Sequence, residues 1–231
     1  MQRARFFSLG SYKFANYWFV FEKLIIRNAK KDSFVLDAGC GRGASIVSPL
    51  EKVKLVGLDI LRANVEACKR KWGNRDYVIG DLTMLPFIEG AFMGAISANV
   101  LEHVNDKTVA VNELARVTKI GGFFVGCSTN IFNPVLWMDV QFPMLMKPFE
   151  MKLADPWHYG RHSRFSPSSL MKTLNSTGYQ IDCWYLLGLP QFSKTRNFKQ
   201  IARLWILFDR LTKRKILQYF KEMLVWQATR V

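Results

Sequence analysis

Val35-Leu36-Asp37-Ala38-Gly39-Cys40-Gly41-Arg42-Gly43 is the stretch on which the reading of this chain turns. Residues 33–39 form a short apolar run that ends in an acid and a glycine turn, the pattern of a buried strand delivering its C-terminal end into a helix. A short helix is expected around 43–52. Glycines in such a turn let the backbone approach a ligand closely, and the first turn of the helix presents free N–H groups to polar atoms. Taken alone, a Gly-x-Gly-x-Gly turn is equally compatible with a plain, tight strand-to-helix connection.

Working outward, strands and helices alternate. Lys54–Ile60 reads as a second strand, and Leu61–Trp72 as a helix with Val65, Cys68 and Trp72 on one side. Asp76–Asp81 is a third strand and Phe92–Val100 a fourth. Asp106–Lys119 has helical spacing with Val109, Leu114 and Val117 inward; Gly121 and Gly122 break it before a fifth strand, Phe123–Thr129. Residues 130–165 are irregular, with Pro134, Pro143, Pro148 and Pro156. Ser166-Pro167 then opens a helix that Gly178 stops after Thr177. Tyr179–Leu189 is a sixth strand, residues 199–222 are strongly helical, and Leu224–Thr229 is a last strand. This alternation predicts an α/β fold, doubly wound, with a mostly parallel seven-stranded sheet and helices on both faces. Asp59 and Asp81 fall at the ends of strands two and three. Together with Asp37 they line the edge where open α/β sheets bind ligands, and Asp59, about 20 residues beyond the turn, suits ribose hydroxyls.

Composition narrows the field. A chain of 231 residues, 49% hydrophobic and 14% aromatic, is neither disordered nor too small for a core of its own. Cys40, Cys68, Cys127 and Cys183 are far apart and form no Cys-x-x-Cys pair, which argues against a zinc ribbon and a disulfide framework and fits a reducing, cytoplasmic setting. No apolar run reaches the roughly 18 residues of a spanning helix. The formal charge of +15 is uneven: residues 1–32 carry +5, residues 190–231 carry +8, and the long middle only +2. The ends therefore look like parts that meet something anionic. The N-terminal stretch lacks a small-residue cleavage site and reads as part of the mature protein, an aromatic amphipathic helix.

Further segments carry a family likeness. Val35 to Gly43 is followed by Gly57-Leu58-Asp59, Gly80-Asp81-Leu82 with Leu85-Pro86-Phe87, Ser97-Ala98-Asn99-Val100-Leu101-Glu102-His103-Val104, and Asn112-Glu113-Leu114-Ala115-Arg116-Val117 with Gly121-Gly122. In order and spacing this set, covering about 33–130, resembles class I S-adenosylmethionine-dependent methyltransferases of the type 11, ubiquinone-biosynthesis O-methyltransferase-like branch. The resemblance implies a Rossmann-like fold with S-adenosylmethionine as cofactor and S-adenosylhomocysteine as product. It implies Asp37 near the methionine amino group, and Gly39, Cys40, Gly41 and Gly43 along methionine and ribose through their backbones. It further implies Asp59 on the ribose hydroxyls with Ile60 against the adenine, Asp81 on the adenine amino group beside Leu82, and Asn99 along the cofactor. Phe92 is followed by Met93 where the family usually has an acid, and Lys119-Ile120-Gly121-Gly122 replaces the usual Lys-Pro-Gly-Gly. The rival dinucleotide fingerprint fails in its strict form at Ala44 but passes in its relaxed form, so the turn alone does not exclude hydride transfer; the later segments favour methyl transfer.

An alcohol or phenol acceptor must lose a proton, and three histidines are available. His103 follows Glu102 just after strand four; the alternative is a histidine starting a helix and paired to a neighbouring acid. His158 and His162 fall in Asp155-Pro156-Trp157-His158-Tyr159-Gly160-Arg161-His162-Ser163-Arg164-Phe165-Ser166, similar to a segment that borders the acceptor pocket in relatives. The alternative there is a polar surface loop. No acid-rich cluster accompanies these histidines, so no metal is expected. The chain is expected to divide into a basic, aromatic helical extension, 1–32, and a methyltransferase domain, 33–231, carrying a basic amphipathic helical insertion at about 190–222. Both basic parts could pack on their own domain, or dock on an anionic membrane surface near a small, lipid-linked or glycan acceptor. Nucleic acid is a weaker fit, because no RNA-binding module accompanies the charge. The alternatives to O-methylation are an RNA or protein methyltransferase using the basic ends, and a non-catalytic cofactor-binding scaffold.

Overall fold

The computed structural model describes residues 7–9, 12–14, 17–43, 53–73, 75–130, 132, 165–187 and 223–231. His158, His162, the helix expected beyond Gly43, most of the proline-rich stretch and the insertion at about 190–222 lie outside them. The chain opens with a hairpin, β1 (Phe7–Leu9) and β2 (Tyr12–Phe14), which the sequence reading did not anticipate, followed by helix α1 (Tyr17–Asn28). The main body alternates β3 (Phe34–Ala38), β4 (Lys54–Asp59), α2 (Arg62–Lys71), β5 (Asp76–Ile79), β6 (Phe92–Ala98), a 3-10 turn (Leu101–His103) and α3 (Lys107–Val117). Then come β7 (Thr118–Thr129), α4 (Pro167–Ser176), β8 (Tyr179–Leu187) and β9 (Met223–Arg230).

One sheet of seven strands runs in the order β5-β4-β3-β6-β7-β9-β8. The first five are mutually parallel; β9 is antiparallel to both neighbours. The order reverses between β3 and β6, so the crevice over the C-terminal ends of these two strands is the fold's ready-made ligand position. Gly39 follows β3 and Asn99 follows β6, on either side of that crevice.

Both faces of the sheet are buried, which is why its inner strands read as nearly unbroken apolar runs. On one face Leu36, Leu58, Phe124 and Trp226 pack with Leu114 of α3 and Leu170 and Leu174 of α4. On the other, Val35, Leu55, Ile96, Val125 and Val225 pack with Phe21, Leu24 and Ile25 of α1. Those three α1 positions form an i, i+3, i+4 stripe, and full burial of side chains of this size stabilises by about 1.5–3 kcal/mol each. Gln227 on β9 also donates to the Asn28 side chain at the end of α1. The helix of the basic N-terminal stretch is thus part of the sheet's cover.

Caps agree with the sequence. Asp106 accepts from Val109 N at the start of α3, and Ser166 and Ser169 form a reciprocal capping box on α4. Two details differ. Val109 is exposed, because the buried face of α3 is Ala110, Val111, Leu114, Ala115 and Val117. The helix also stops at Val117 and passes directly into β7, so Gly121 and Gly122 lie within a strand at an irregular pairing, not between elements.

The indole of Trp226 packs against Gly126, its partner across β7 and β9, and any Cβ at Gly126 would collide with it. The Gly126→Ala variant is expected to lose about 1–3 kcal/mol through overpacking. Chemical denaturation measures it, and an unchanged midpoint would show that the ring can step aside.

Candidate active site

The site grows from the end of β3. The N–H groups of Gly39 and Cys40 both donate to Leu58 O of β4, at 2.8 and 2.9 Å, which bends the chain over the neighbouring strand tip. Gly39 (φ 82°) and Gly41 (φ 53°) take left-handed conformations that side chains disfavour. At Gly39 a Cβ would strike Val100 beyond β6, whereas at Gly41 it would meet no described residue within 4 Å.

Asp59, at the tip of β4, holds that turn. Its Oδ2 accepts from Gly41 N at 2.9 Å, and its Oδ1 accepts from Leu61 N at 2.9 Å and from Asn64 Nδ2 at 3.1 Å. Three of roughly four lone-pair positions of the carboxylate are thus met by the chain itself. The sequence reading assigned Asp59 to ribose hydroxyls alone; the structure adds that the same carboxylate shapes the turn. Gly80 N donates to Asp59 O, which ties in the tip of β5. There Asp81 is exposed, and its Oδ1 accepts from both Thr83 N and Thr83 Oγ1 at 2.8 Å, fixing the rotation of the carboxylate. Leu82 is buried, while Ile60, just past Asp59, is 61% exposed, an apolar surface at the crevice edge.

Asp37 is almost wholly buried, and burial, reinforced by the charge of Asp59 and opposed by Arg75, raises its carboxyl to about 7. Cys40 and Cys68 lie with sulfurs 4.0 Å apart, Cys68 donating to Gly41 O; burial pushes the Cys40 thiol upward. All four cysteines are free thiols.

Asn99, the residue after β6, has φ 54°, and its N–H donates to Cys127 O. Its Oδ1 is buried with no hydrogen-bond partner among the described residues. His103 is the exposed last residue of the 3-10 turn. Its neighbour Glu102 is only 2% exposed and faces inward, accepting from Ser128 Oγ at 2.8 Å, so the acid following strand four serves the core. Burial raises the Glu102 carboxyl. Sequence reasoning gave Glu102 no role, and its inward turn has no signature in the Leu-Glu-His-Val pattern. Among the described residues no group of three or more His, Cys, Asp or Glu is placed to hold a metal ion.

Asp37 generates a pH prediction. In the unfolded chain the carboxyl ionises near 3.8, in the native state near 7. The native state therefore binds more protons across that window, and this group's effect lowers native stability as pH rises from about 4 to about 7. Asp37→Asn is expected to gain stability over wild type through that window, by on the order of a few kcal/mol at the upper end, with no difference near pH 4. Urea melts of the ligand-free protein at several pH values measure it.

The family model described as a methyltransferase domain matches residues 36–126. A "probable S-adenosylmethionine-dependent methyltransferase" of Mycolicibacterium smegmatis is 32% identical over 128 residues, 52% of this chain and 49% of that protein. An O-methyltransferase of Aspergillus sclerotiorum is 28% identical over 95 residues, 38% of this chain and 36% of that one. The chain spans about half the length of the first relatives it matches. Among solved structures, a geranyl diphosphate C-methyltransferase from Streptomyces coelicolor superposes with a TM-score of 0.62 at 16% identity, covering 92% of this chain and 79% of that one. At that identity the likeness is one of fold. Strand order, glycine turn and sequence match agree: residues 36–126 match the methyltransferase-domain family and lie in a sheet of the fold that S-adenosylmethionine-dependent methyltransferases share.

Proposed function

We propose that this chain transfers a methyl group from S-adenosylmethionine to a small acceptor, with oxygen of a lipid-linked or glycan compound at a membrane surface as the acceptor class. One observation carries the reading: the tips of β3, β4 and β5 are hydrogen-bonded into a single edge that brings Asp37, Asp59 and Asp81 together beside the glycine turn. The residues fit the cofactor. Asp37 answers an ammonium, the remaining lone-pair position of Asp59 one ribose hydroxyl, and exposed Ile60 with Asp81 and Leu82 a purine; Oδ1 of Asn99, without a partner among the described residues, adds an acceptor on the far side of the crevice. When bound, the cofactor supplies an electrophilic methyl on sulfonium. The protein's own tasks are to orient the acceptor and remove its proton. His103, exposed at the same end of the sheet, is the described group suited to that second task.

Two findings support the acceptor class. The Aspergillus relative is named an O-methyltransferase, and this chain shares that segment with it. On α1, opposite the stripe buried on the sheet, Ile26 is 52% exposed beside exposed Lys23 and Arg27, an apolar and cationic outer face suited to an anionic lipid surface. Among the described residues no helix is long and apolar enough to cross a membrane.

Calorimetry with S-adenosylhomocysteine tests the reading directly. Wild type is expected to bind, and Asp59→Ala to weaken binding by at least about tenfold, since it removes a ligand group and the tie that shapes the turn. A folded wild type that binds nothing ends the proposal. With an acceptor in hand, His103→Ala should slow turnover while leaving cofactor affinity unchanged. The acceptor is found by mass spectrometry of host lipid and glycan pools with and without the protein, searched for species lacking one methyl.

A further inference from the structure

Between β5 and β6 the chain runs for twelve residues with no strand pairing beyond the bridge Asp81–Met84, yet it carries Asp81 and Leu82. What holds this loop comes from α3. Arg116 forms a two-point pair with Glu113 one turn earlier, Nε to Oε1 at 2.7 Å and Nη2 to Oε2 at 2.8 Å. The same guanidinium reaches the loop twice, Nη1 to Phe87 O at 2.8 Å and Nη2 to Leu85 O at 3.1 Å, and Glu113 Oε2 accepts from Leu85 N at 2.8 Å. Three backbone groups of one loop are thus met by a single ion pair.

We propose that Glu113 and Arg116 are positioning residues for the cofactor's purine base: their clamp sets the height of the 82–87 segment, and with it the Asp81–Leu82 wall. The inference builds on the methyl-transfer reading above. An exposed i, i+3 ion pair would ordinarily contribute little. Here each charged group also has loop backbone as a second partner, so either loss leaves polar groups of the loop without their partners. Only a planar fork serves a carboxylate and two carbonyls at once; the single ammonium of lysine does not. The partnership lowers the Glu113 carboxyl and raises Arg116, so both stay charged across the working range of pH. The far end of the loop is secured separately, by Gly90 N on Arg116 O and by Arg230 on Glu89, so the clamp acts on the base-facing half.

The test compares two ligands by calorimetry, S-adenosylhomocysteine and S-ribosylhomocysteine, which lacks the base. Arg116→Lys and Glu113→Ala are each expected to weaken the first by about tenfold or more, leave the second within about twofold of wild type, and speed amide exchange at Leu85. Glu113→Gln, the milder change, should fall between, and Glu89→Gln, on the same loop but outside the clamp, should match wild type. A folded Arg116→Lys that binds S-adenosylhomocysteine as wild type does overturns the proposal. So does equal weakening of both ligands, which would make the clamp merely structural. Wild type that binds neither ligand instead overturns the methyl-transfer reading beneath it.

Discussion

The carboxylate of Asp59 is the constraint on which the rest of this site depends. A glycine turn with three left-handed residues, Gly39, Gly41 and Gly43, has few internal reasons to keep one shape, and no described residue would meet a Cβ at Gly41. The hydrogen bond from Gly41 N to Asp59 Oδ2 supplies that reason, while the other oxygen organises the start of α2 through Leu61 and Asn64. These bonds depend on direction, so they fix the orientation of the carboxylate together with the shape of the turn. One side chain therefore couples the turn after β3 to the helix after β4, and its backbone oxygen couples both to the tip of β5.

That arrangement explains why the neighbouring acid behaves differently. Asp37 lies at the end of the adjacent strand, more deeply buried and facing the charge of Asp59, and holds its proton to about 7. Two carboxyl groups near one crevice are thus set apart by environment: one accepts from three donors, the other is buried beside a neighbouring charge that Arg75 only partly offsets. An ammonium brought beside Asp37, such as the proposed cofactor carries, would favour its charged form.

Polar residues away from the crevice serve its geometry. Glu102 turns into the core to meet Ser128 and so anchors the 3-10 turn that ends in His103. Arg116 and Glu113 grip the loop that carries Asp81 and Leu82. Packing gives these elements a rigid base. The sheet is covered on one face by α3 and α4 and on the other by α1, with Trp226 pressed over Gly126. The helix of the basic N-terminal stretch directs its apolar stripe into this core, so any surface role for it falls to the outer residues Lys23, Ile26 and Arg27.

Local pattern alone was enough to locate β3 to β9 and the helices α2, α3 and α4, because a buried parallel strand needs an apolar run and a surface helix needs a stripe, and both are written in consecutive residues. The glycine turn and the three acids at strand ends were legible for the same reason. Longer-range facts were not. Val109 was misplaced because helical spacing leaves two adjacent faces open until the sheet chooses one, whereas the pair Phe7–Leu9 and Tyr12–Phe14 is a local feature whose signal, Gly10-Ser11 between the strands, is overlooked when the whole stretch is read as helix. That Asp59 bonds Gly41, that Glu102 faces inward, and that Arg116 holds Leu85 and Phe87 are contacts between residues 18 to 31 positions apart in the chain. Periodicity constrains neighbours within a turn or two; the direction in which a charged side chain points across such separations is decided only when the strands come into register.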